Sequence, residues 1–185
     1  MVGMQQIHGN NVVRVTGQDD GKNIENCDAL ISNDPNVTLS VRVADCLPIT
    51  VIDKKTHSFG IIHAGWRGLD NKIIANTVQK MINEFLVSPE DLEVSIGPHI
   101  CQKHYEVKSD ISGKFKEFQE ALLQKEGKEY LDLAKIAELQ LIGVGAKKEK
   151  IKISKDCTFE DSSLPSFRKN KTSERLIVKL NIQSS

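Results

Sequence analysis

The chain contains 185 residues, and its 25 Lys and Arg residues are balanced by 25 Asp and Glu residues, so the formal net charge is zero. Without a basic excess, no overall electric field favours nucleic acid or an anionic membrane as a partner. No apolar run approaches the roughly 20 residues of a membrane-spanning helix, and the first residues lack the pattern of a secretory signal. We therefore expect a cytoplasmic protein with a single domain, residues 1–185, that acts on a small molecule.

The four cysteines, Cys27, Cys46, Cys101 and Cys157, have no paired spacing. A chain of this length in a reducing compartment has little need of disulfides, so free thiols or metal ligands are the favoured interpretation. Because the number is even, a secreted protein with two bridges is the alternative.

Short strands are predicted near the start of the chain. Residues 12–15 and 27–31 are rich in apolar and β-branched side chains and are bounded by turn residues, which is typical of strands. His8 lies just before the first of these strands. On its own it is most simply a polar loop residue, although the Gly-Asn-Asn turn that follows could direct its side chain towards a site.

The next segment carries the candidate site. Three further strands are predicted from apolar runs at residues 39–43, 49–52 and 59–62. Cys46 follows the first strand and His63 ends the third, beside a Gly-Trp-Arg-Gly sequence whose glycines allow the backbone to approach a ligand closely. The alternative is that Cys46 is a small buried hydrophobe and His63 a hydrogen-bonded core residue, because a separation of 17 positions matches no short zinc pattern.

A helix of about four turns is predicted after Gly68, since apolar residues recur there at helical spacing. Asp70 is its expected N-cap, and Ser88-Pro89 ends it. Its N-terminus would lie beside Arg67, and helix N-termini attract anions, so we expect a phosphate site there. The alternative is that Arg67 pairs with a surface carboxylate.

The second half is predicted to mix strands and helices. A strand at residues 92–96 ends at a Gly-Pro turn, and the cluster that follows, His99, Cys101, His104 and Tyr105, is expected to border a pocket rather than to bind metal. Helices are predicted at residues 109–125 and 131–143, with Gly145 as a C-cap. Strands at residues 151–153 and 176–180 enclose a polar loop at residues 157–172.

Two motifs resemble a known family. Residues 44–49 read Ala-Asp-Cys-Leu-Pro-Ile, and residues 63–68 read His-Ala-Gly-Trp-Arg-Gly. They are similar to the bacterial proteins once called multicopper polyphenol oxidases, or laccase-domain proteins, and now regarded as purine nucleoside phosphorylases. Further segments that fit are residues 6–9, 96–98, 105–107 and 166–168. The resemblance implies an α+β fold, a four-layer α/β/β/α sandwich with mixed sheets.

This chain departs from the family pattern in two places. Family members usually carry several tens of residues before the motif that contains His8, so we expect a short form or a missing N-terminal segment, without the pocket walls that this segment supplies. Near the other end, Phe167 stands where the family usually has Tyr, and Lys169 stands where it has a second Arg. The hydrogen bond of that tyrosine hydroxyl is therefore lost.

The resemblance implies that His8, Cys46 and His63 bind zinc. Two imidazoles and one thiolate leave a fourth position for water, which is typical of catalytic rather than structural zinc. Zinc lowers the pKa of its bound water towards ~7, or it polarises a substrate group as a Lewis acid. Copper is the other ion that the family name suggests.

The implied reactions are phosphorolysis of adenosine, inosine and methylthioadenosine to the free base and ribose or methylthioribose 1-phosphate, and deamination of adenosine. Asp45 is the expected general acid or base, and Arg67, with Arg42 or Arg168, is expected to hold phosphate. The other expected substrate-binding residues are Gln6, Trp66 and Tyr105, of which the two aromatic residues could stack on a purine. The sequence leaves open a homodimer.

Other classes of function fit the same residues. A metal-free thiol hydrolase or deamidase would use His63 to lower the pKa of Cys46, and the implied fold is shared with a toxin deamidase of this kind. A copper-dependent phenol oxidase ranks last, because one Cys and two His are too few for several copper centres. A non-enzymatic binding module is the remaining alternative.

Overall fold

The computed structural model describes residues 1–182. The strands are β1 (Gly3–Met4), β2 (Val12–Arg14), β3 (Asn23–Ile24), β4 (Ala29–Ser32), β5 (Leu39–Val43), β6 (Leu47–Asp53), β7 (Ser58–Ala64), β8 (Glu93–Ile96), β9 (Glu106–Val107), β10 (Leu122–Lys125), β11 (Lys128–Leu131), β12 (Ile151–Ile153) and β13 (Leu176–Leu180). The α-helices are α1 (Trp66–Asp70), α2 (Ile73–Phe85), α3 (Ser109–Ser112), α4 (Leu133–Gly143) and α5 (Phe167–Asn170). Within residues 1–182, no helix is long and apolar enough to cross a lipid bilayer.

A six-stranded mixed sheet lies at the centre of the molecule, in the order β12-β8-β6-β7-β4-β2. Its middle is the antiparallel hairpin of β6 and β7, whose register runs from the pair Leu47 and Ala64 to the pair Asp53 and Ser58. β4 and β8 add antiparallel strands on either side, and β2 and β12 add parallel strands at the edges. The β-branched side chains of these strands pack well on a pleated surface, which explains why this part of the chain forms a sheet.

Both faces of this sheet are covered. Ile62 belongs to the apolar cluster formed with helices α2 and α4, whereas its neighbours Phe59 and Ile61 belong to a second cluster formed with β5 and β1. Adjacent strand residues point to opposite faces, so this division follows from the strand geometry. β5 pairs with β13 in a second sheet. Helices, central sheet and second sheet therefore follow one another as layers, and the predicted α+β class with mixed sheets is confirmed.

Most predicted strands are confirmed, with small changes at their ends. They correspond to β2, β4, β5, β6, β7, β8, β12 and β13. The predicted helix after Gly68 is divided in two. The Gly-Trp-Arg-Gly sequence is the beginning of α1, Asp70 is its last residue rather than an N-cap, and Lys72 precedes α2 in a left-handed conformation with φ 63°. The long helix therefore begins several residues later than expected.

The predicted helix at residues 109–125 is wrong. Only Ser109–Ser112 forms an α-helix, while the end of the segment is β10, which pairs with β11 in an antiparallel hairpin. Glu126 and Gly127, with φ values of 53° and 75°, make the two-residue turn with two positive φ angles that suits such a hairpin. The apolar spacing that suggested a long helix arises because residues such as Phe115 reach the core from a short 3-10 helix, Gly113–Phe115.

The other predicted helix is confirmed as α4, where the Asp132 side chain accepts a hydrogen bond from the backbone N–H of Lys135 at 2.9 Å. Gly145 adopts φ 101° just after this helix, as a residue that ends a helix often does. The predicted polar loop at residues 157–172 contains the short helix α5, capped by Ser166. This short helix brings Phe167 and Arg168 to the candidate site.

The two covered faces of β7 lead to a prediction for stability. Ile61→Val and Ile62→Val should each lower the free energy of unfolding by about 1 kcal/mol, because each side chain is fully buried, one on each face of the sheet. Ile177→Val is the matched control, since that side chain is 49% exposed on β13, and it should change the value by less than about 0.5 kcal/mol. Urea unfolding measures all three. If Ile61→Val behaved like the control, the second sheet would not cover this face.

Candidate active site

Two histidines and one cysteine meet at one edge of the central sheet. His63 is the next-to-last residue of β7, Cys46 lies in the bend before β6, and His8 lies between β1 and β2. One potential ligand atom of each residue lies within 4.8 Å of those of the other two. The hairpin register explains the separation of 17 positions, because Leu47 pairs with Ala64 and Cys46 is therefore next to the end of β7.

A buried carboxylate, Asp28, orients both histidines. It accepts hydrogen bonds from the backbone N–H groups of Ile7, His8 and Gly9 at 3.2, 2.9 and 2.7 Å, and one of its oxygens lies 2.8 Å from Nδ1 of His63. This bond fixes the His63 tautomer, so Nε2 is free to face Cys46. Asp28 is not among the site residues predicted from the sequence, although a carboxylate inside an apolar strand run is a signal that it has a buried partner.

The electrostatics of the site favour a charged pair of Cys46 and His63. Burial alone would raise the pKa of Cys46, but hydrogen bonds from His63 and His8 outweigh it and lower that pKa to about 7. Burial alone would lower the pKa of His63, but its contacts with Asp28 and Cys46 raise it to about 9. A thiolate is thus accessible at neutral pH, and the thiolate is the form that binds metal or acts as a nucleophile.

Gly65 permits this close arrangement. A Cβ atom at this position would lie 2.9 Å from Sγ of Cys46 and 3.4 Å from Cδ2 of His8. A side chain at residue 65 would therefore collide with the cysteine. The glycine lets helix α1 begin directly beside the site.

A cavity of about 750 Å³ opens over the three residues. It brings together all the residues that the sequence analysis assigned to a site: Gln6, His8, Asp45, Cys46, His63, Trp66, Arg67, Tyr105 and Arg168. Arg42, Phe167, Lys171 and Arg175 also line it. His99 and Cys101 are not among its lining residues, and neither is the first turn of α2. The N-terminus of the long helix α2 therefore lies outside this lining, whereas Trp66 and Arg67 in the first turn of α1 belong to it, so an anion site beside Arg67 stays a prediction.

Four of the five arginines in the chain line this cavity: Arg42, Arg67, Arg168 and Arg175. The fifth, Arg14, pairs with Glu84 at 2.9 Å. Among residues 1–182, none of the four cavity arginines forms a salt bridge with a carboxylate. Guanidinium groups that lack an internal carboxylate partner are suited to bind an anion with paired hydrogen bonds.

Two of these arginines are held by aromatic rings. The guanidinium of Arg67 lies 4.6 Å from the centroid of the Trp66 ring, and that of Arg168 lies 4.8 Å from the centroid of Tyr105. Arg168 also donates a hydrogen bond to the carbonyl oxygen of Glu106 at 2.7 Å. These contacts fix the guanidinium groups without neutralising their charge.

Asp45 and Gln6 are engaged in ways that the sequence did not predict. The Asp45 carboxylate accepts hydrogen bonds from the hydroxyl groups of Thr158 and Ser166, both at 2.7 Å, and from the N–H of Arg168 at 2.6 Å. The Gln6 amide both donates to and accepts from the backbone of Arg42. These hydrogen bonds tie Asp45 to the loop that carries Arg168 and Gln6 to β5. Both residues also line the cavity, so a general acid or base at Asp45 and substrate binding by Gln6 stay predictions.

The role of Asp28 can be measured in the metal-free protein. Asp28→Asn should raise the pKa of Cys46 from about 7 towards the ordinary thiol value of about 8.5, because His63 without its carboxylate becomes a weaker base and stabilises the thiolate less. The rate of alkylation by iodoacetamide as a function of pH gives this pKa. Asp53→Asn is the control, since Asp53 is buried but bonds to Lys55 and Thr56 instead. An unchanged midpoint in Asp28→Asn would contradict the role assigned to Asp28.

Comparison with known proteins agrees with this geometry. A protein of Deinococcus radiodurans named purine nucleoside phosphorylase is 34% identical over 144 residues, which cover 77% of this chain and 55% of that protein. A protein of Aquifex aeolicus with the same name is 37% identical over 151 residues, which cover 81% and 68%. The chain thus spans little more than half the length of the Deinococcus relative.

The structural comparison extends over nearly the whole chain. The crystal structure of YlmD from Geobacillus stearothermophilus matches with a TM-score of 0.94 and 26% identity, over 99% of this chain and 73% of that one. Residues 1–180 match the family described as multi-copper polyphenol oxidoreductase laccase. The chain therefore belongs to this laccase-like family, as the motifs around Cys46 and His63 predict.

Proposed function

We propose that the protein is a zinc-dependent purine nucleoside phosphorylase that also deaminates adenosine. The observation that carries the proposal is the position of His8, Cys46 and His63 in a cavity whose walls hold four arginines that have no carboxylate partner within residues 1–182. The names of the two relatives support phosphorolysis. The proposed substrates are adenosine, inosine and methylthioadenosine, each with inorganic phosphate.

The three donors fit a zinc ion. Two imidazoles and a thiolate suit zinc, and the orientation of His63 by Asp28 is the kind of contact that metal-binding histidines make. His8 is exposed on the cavity side, which leaves room for a substrate group. When bound, zinc would supply a Lewis acid that activates water or polarises the substrate. Copper accepts the same donors, and elemental analysis of the purified protein distinguishes the two metals.

The other cavity residues suit the remaining parts of phosphorolysis. In this reaction a phosphate oxygen forms a bond to C1′ of the ribose while the bond from C1′ to the purine breaks. Arg67 and Arg168 would hold the phosphate through charge-assisted hydrogen bonds. Burial, together with the charge of Cys46, raises the pKa of Tyr105 far above its usual range, so its hydroxyl stays protonated and can donate a hydrogen bond to the purine.

A metal-free thiol hydrolase is the second candidate, and a specific observation favours it. The Cys46 thiolate contacts the His63 imidazolium, which in turn bonds to the carboxylate of Asp28. Thiol hydrolases have this arrangement of nucleophile, base and orienting group. Such an enzyme needs an acyl or amide carbonyl in its substrate, which a nucleoside lacks. Copper-dependent phenol oxidation is the third candidate, and it rests on the family description alone.

Product analysis separates these candidates. With adenosine or inosine, the protein should release free base and ribose 1-phosphate only when phosphate is present, and it should form inosine from adenosine with or without phosphate. Metal removal or Cys46→Ser should abolish both reactions, because both use the same site. Asp53→Asn is the control, since Asp53 is buried but does not line the cavity, and it should retain both reactions.

Chromatography of the reaction mixtures measures the free base, ribose 1-phosphate and inosine. The thiol hydrolase would be favoured if neither product formed while Cys46 was alkylated rapidly at neutral pH with no loss of metal. Phenol oxidation that required added copper would favour the third candidate.

Arg67→Ala should weaken the use of phosphate more than the use of nucleoside. Loss of a charge-assisted hydrogen bond costs about 1.5–3 kcal/mol, so the KM for phosphate should rise about tenfold or more. Arg14→Ala is the matched control, because Arg14 pairs with Glu84 rather than lining the cavity. Steady-state rates at varied phosphate and at varied inosine measure both effects. An unchanged KM for phosphate in Arg67→Ala would exclude this arginine from the phosphate site.

A further inference from the structure

A second group of metal-binding side chains lies outside the cavity. Potential ligand atoms of Cys101, Cys157 and Glu160 lie within 4.8 Å of one another, and none of these residues lines the cavity. Cys101 follows β8, whereas Cys157 and Glu160 follow β12. A parallel bridge between His99 and Cys157 holds the two segments side by side, together with a hydrogen bond from the N–H of Thr158 to the carbonyl oxygen of His99 at 3.0 Å.

We propose that Cys101, Cys157 and Glu160 form a second metal site, which binds a thiophilic divalent cation such as zinc and stabilises the fold. A site with two sulfur donors and one carboxylate oxygen binds zinc in preference to calcium or magnesium, which require oxygen ligands. The inference does not depend on the proposed phosphorylase activity. It concerns residues of this chain that the proposed mechanism leaves unused.

The surroundings of the sulfurs suit metal binding. The backbone N–H of Cys101 donates a hydrogen bond to Sγ of Cys157 at 3.2 Å, and such a donor favours the thiolate over the thiol. A metal displaces the protons of the thiols when it binds, so binding should strengthen as the pH rises.

The carboxylate is also held in place. His104 Nε2 and Lys103 Nζ contact the same oxygen of Glu160, Oε1, at 2.9 and 2.5 Å. Among the described residues, no hydrogen bond or salt bridge engages the other oxygen, Oε2, which is free to accept a cation. His104 also stacks on Phe159, with ring centroids 4.2 Å apart, so its imidazole is fixed. A histidine that orients a metal-binding carboxylate in this way strengthens metal binding.

This site would connect two walls of the cavity. Tyr105 lines the cavity four positions after Cys101, and Thr158, next to Cys157, donates a hydrogen bond to Asp45. Asp45 in turn accepts from the N–H of Arg168. A metal bound between Cys101 and Cys157 therefore joins the segment that carries Tyr105 to the loop that positions Arg168. Its role is structural, because the cluster itself does not open onto the cavity.

Cadmium titration counts the thiolates at each site. The protein is reduced, freed of metal and titrated anaerobically with Cd²⁺, and the thiolate-to-metal charge-transfer absorption is recorded. Because this absorption scales with the number of bound thiolates, the wild type should bind two Cd²⁺ through three sulfurs. Cys46→Ser, which removes the one cysteine that lines the cavity among residues 1–182, should keep about two thirds of the absorption. The double variant Cys101→Ser with Cys157→Ser should keep about one third, and Cys27→Ser should keep all of it.

Two variants at residues outside the core, Glu160 and His104, keep the test valid if the double variant fails to fold. In the Cys46→Ser background, Glu160→Gln and His104→Ala should each weaken Cd²⁺ binding about tenfold or more without lowering the absorption at saturation. Glu149→Gln, which changes an exposed carboxylate elsewhere, should leave the affinity unchanged. The proposal is overturned if Cys46→Ser shows no thiolate absorption with Cd²⁺. It is also overturned if the absorption of Cys46→Ser persists when Cys101 and Cys157 are replaced in that same variant. Neither result would alter the test of phosphorolysis.

Discussion

The buried carboxylate of Asp28 is the group on which the arrangement of the candidate site depends. It lies immediately before β4 and is fully buried, and a buried carboxylate is stable only where donors surround it. Its donors come from two separate parts of the chain, the backbone at residues 7–9 and the imidazole of His63. The same group therefore sets the position of His8 and the tautomer of His63. One residue of the core thus determines the geometry of two residues at the surface of a cavity.

Much of the central sheet could be predicted because its strands are marked by the sequence itself. The runs that form β5, β6 and β7 are apolar and β-branched and end at turn residues, and this pattern is local. The hairpin of β6 and β7 then places Cys46 beside His63. The participation of His8 rested on the family resemblance, because nothing in the local pattern connects this residue to a hairpin that begins about 40 positions later.

Other features depend on contacts that a local pattern does not contain. The hydrogen-bond partners of Asp45 and Gln6 could not be predicted because they are distant in sequence, such as Thr158, 113 positions after Asp45. The predicted helix at residues 109–125 failed because Glu126 adopts a positive φ that a helical pattern does not reveal. Tertiary contacts overrode helical spacing in that segment, as is common where apolar residues are few and turns are close.

The segment that carries His8 differs in one respect from the elements that carry the other two residues. Cys46 and His63 are held by the seven-residue strands of a central hairpin, whereas His8 is exposed and its backbone is held in place at Asp28. Local opening of this segment removes three backbone donors from Asp28 but leaves the hairpin of β6 and β7 intact, so it costs less free energy than global unfolding. An ion bound by all three residues would then exchange with solution through release of His8. The rate of ion exchange would then measure how often this short segment opens. Cys46 and His63 would stay in position and could bind the next ion first.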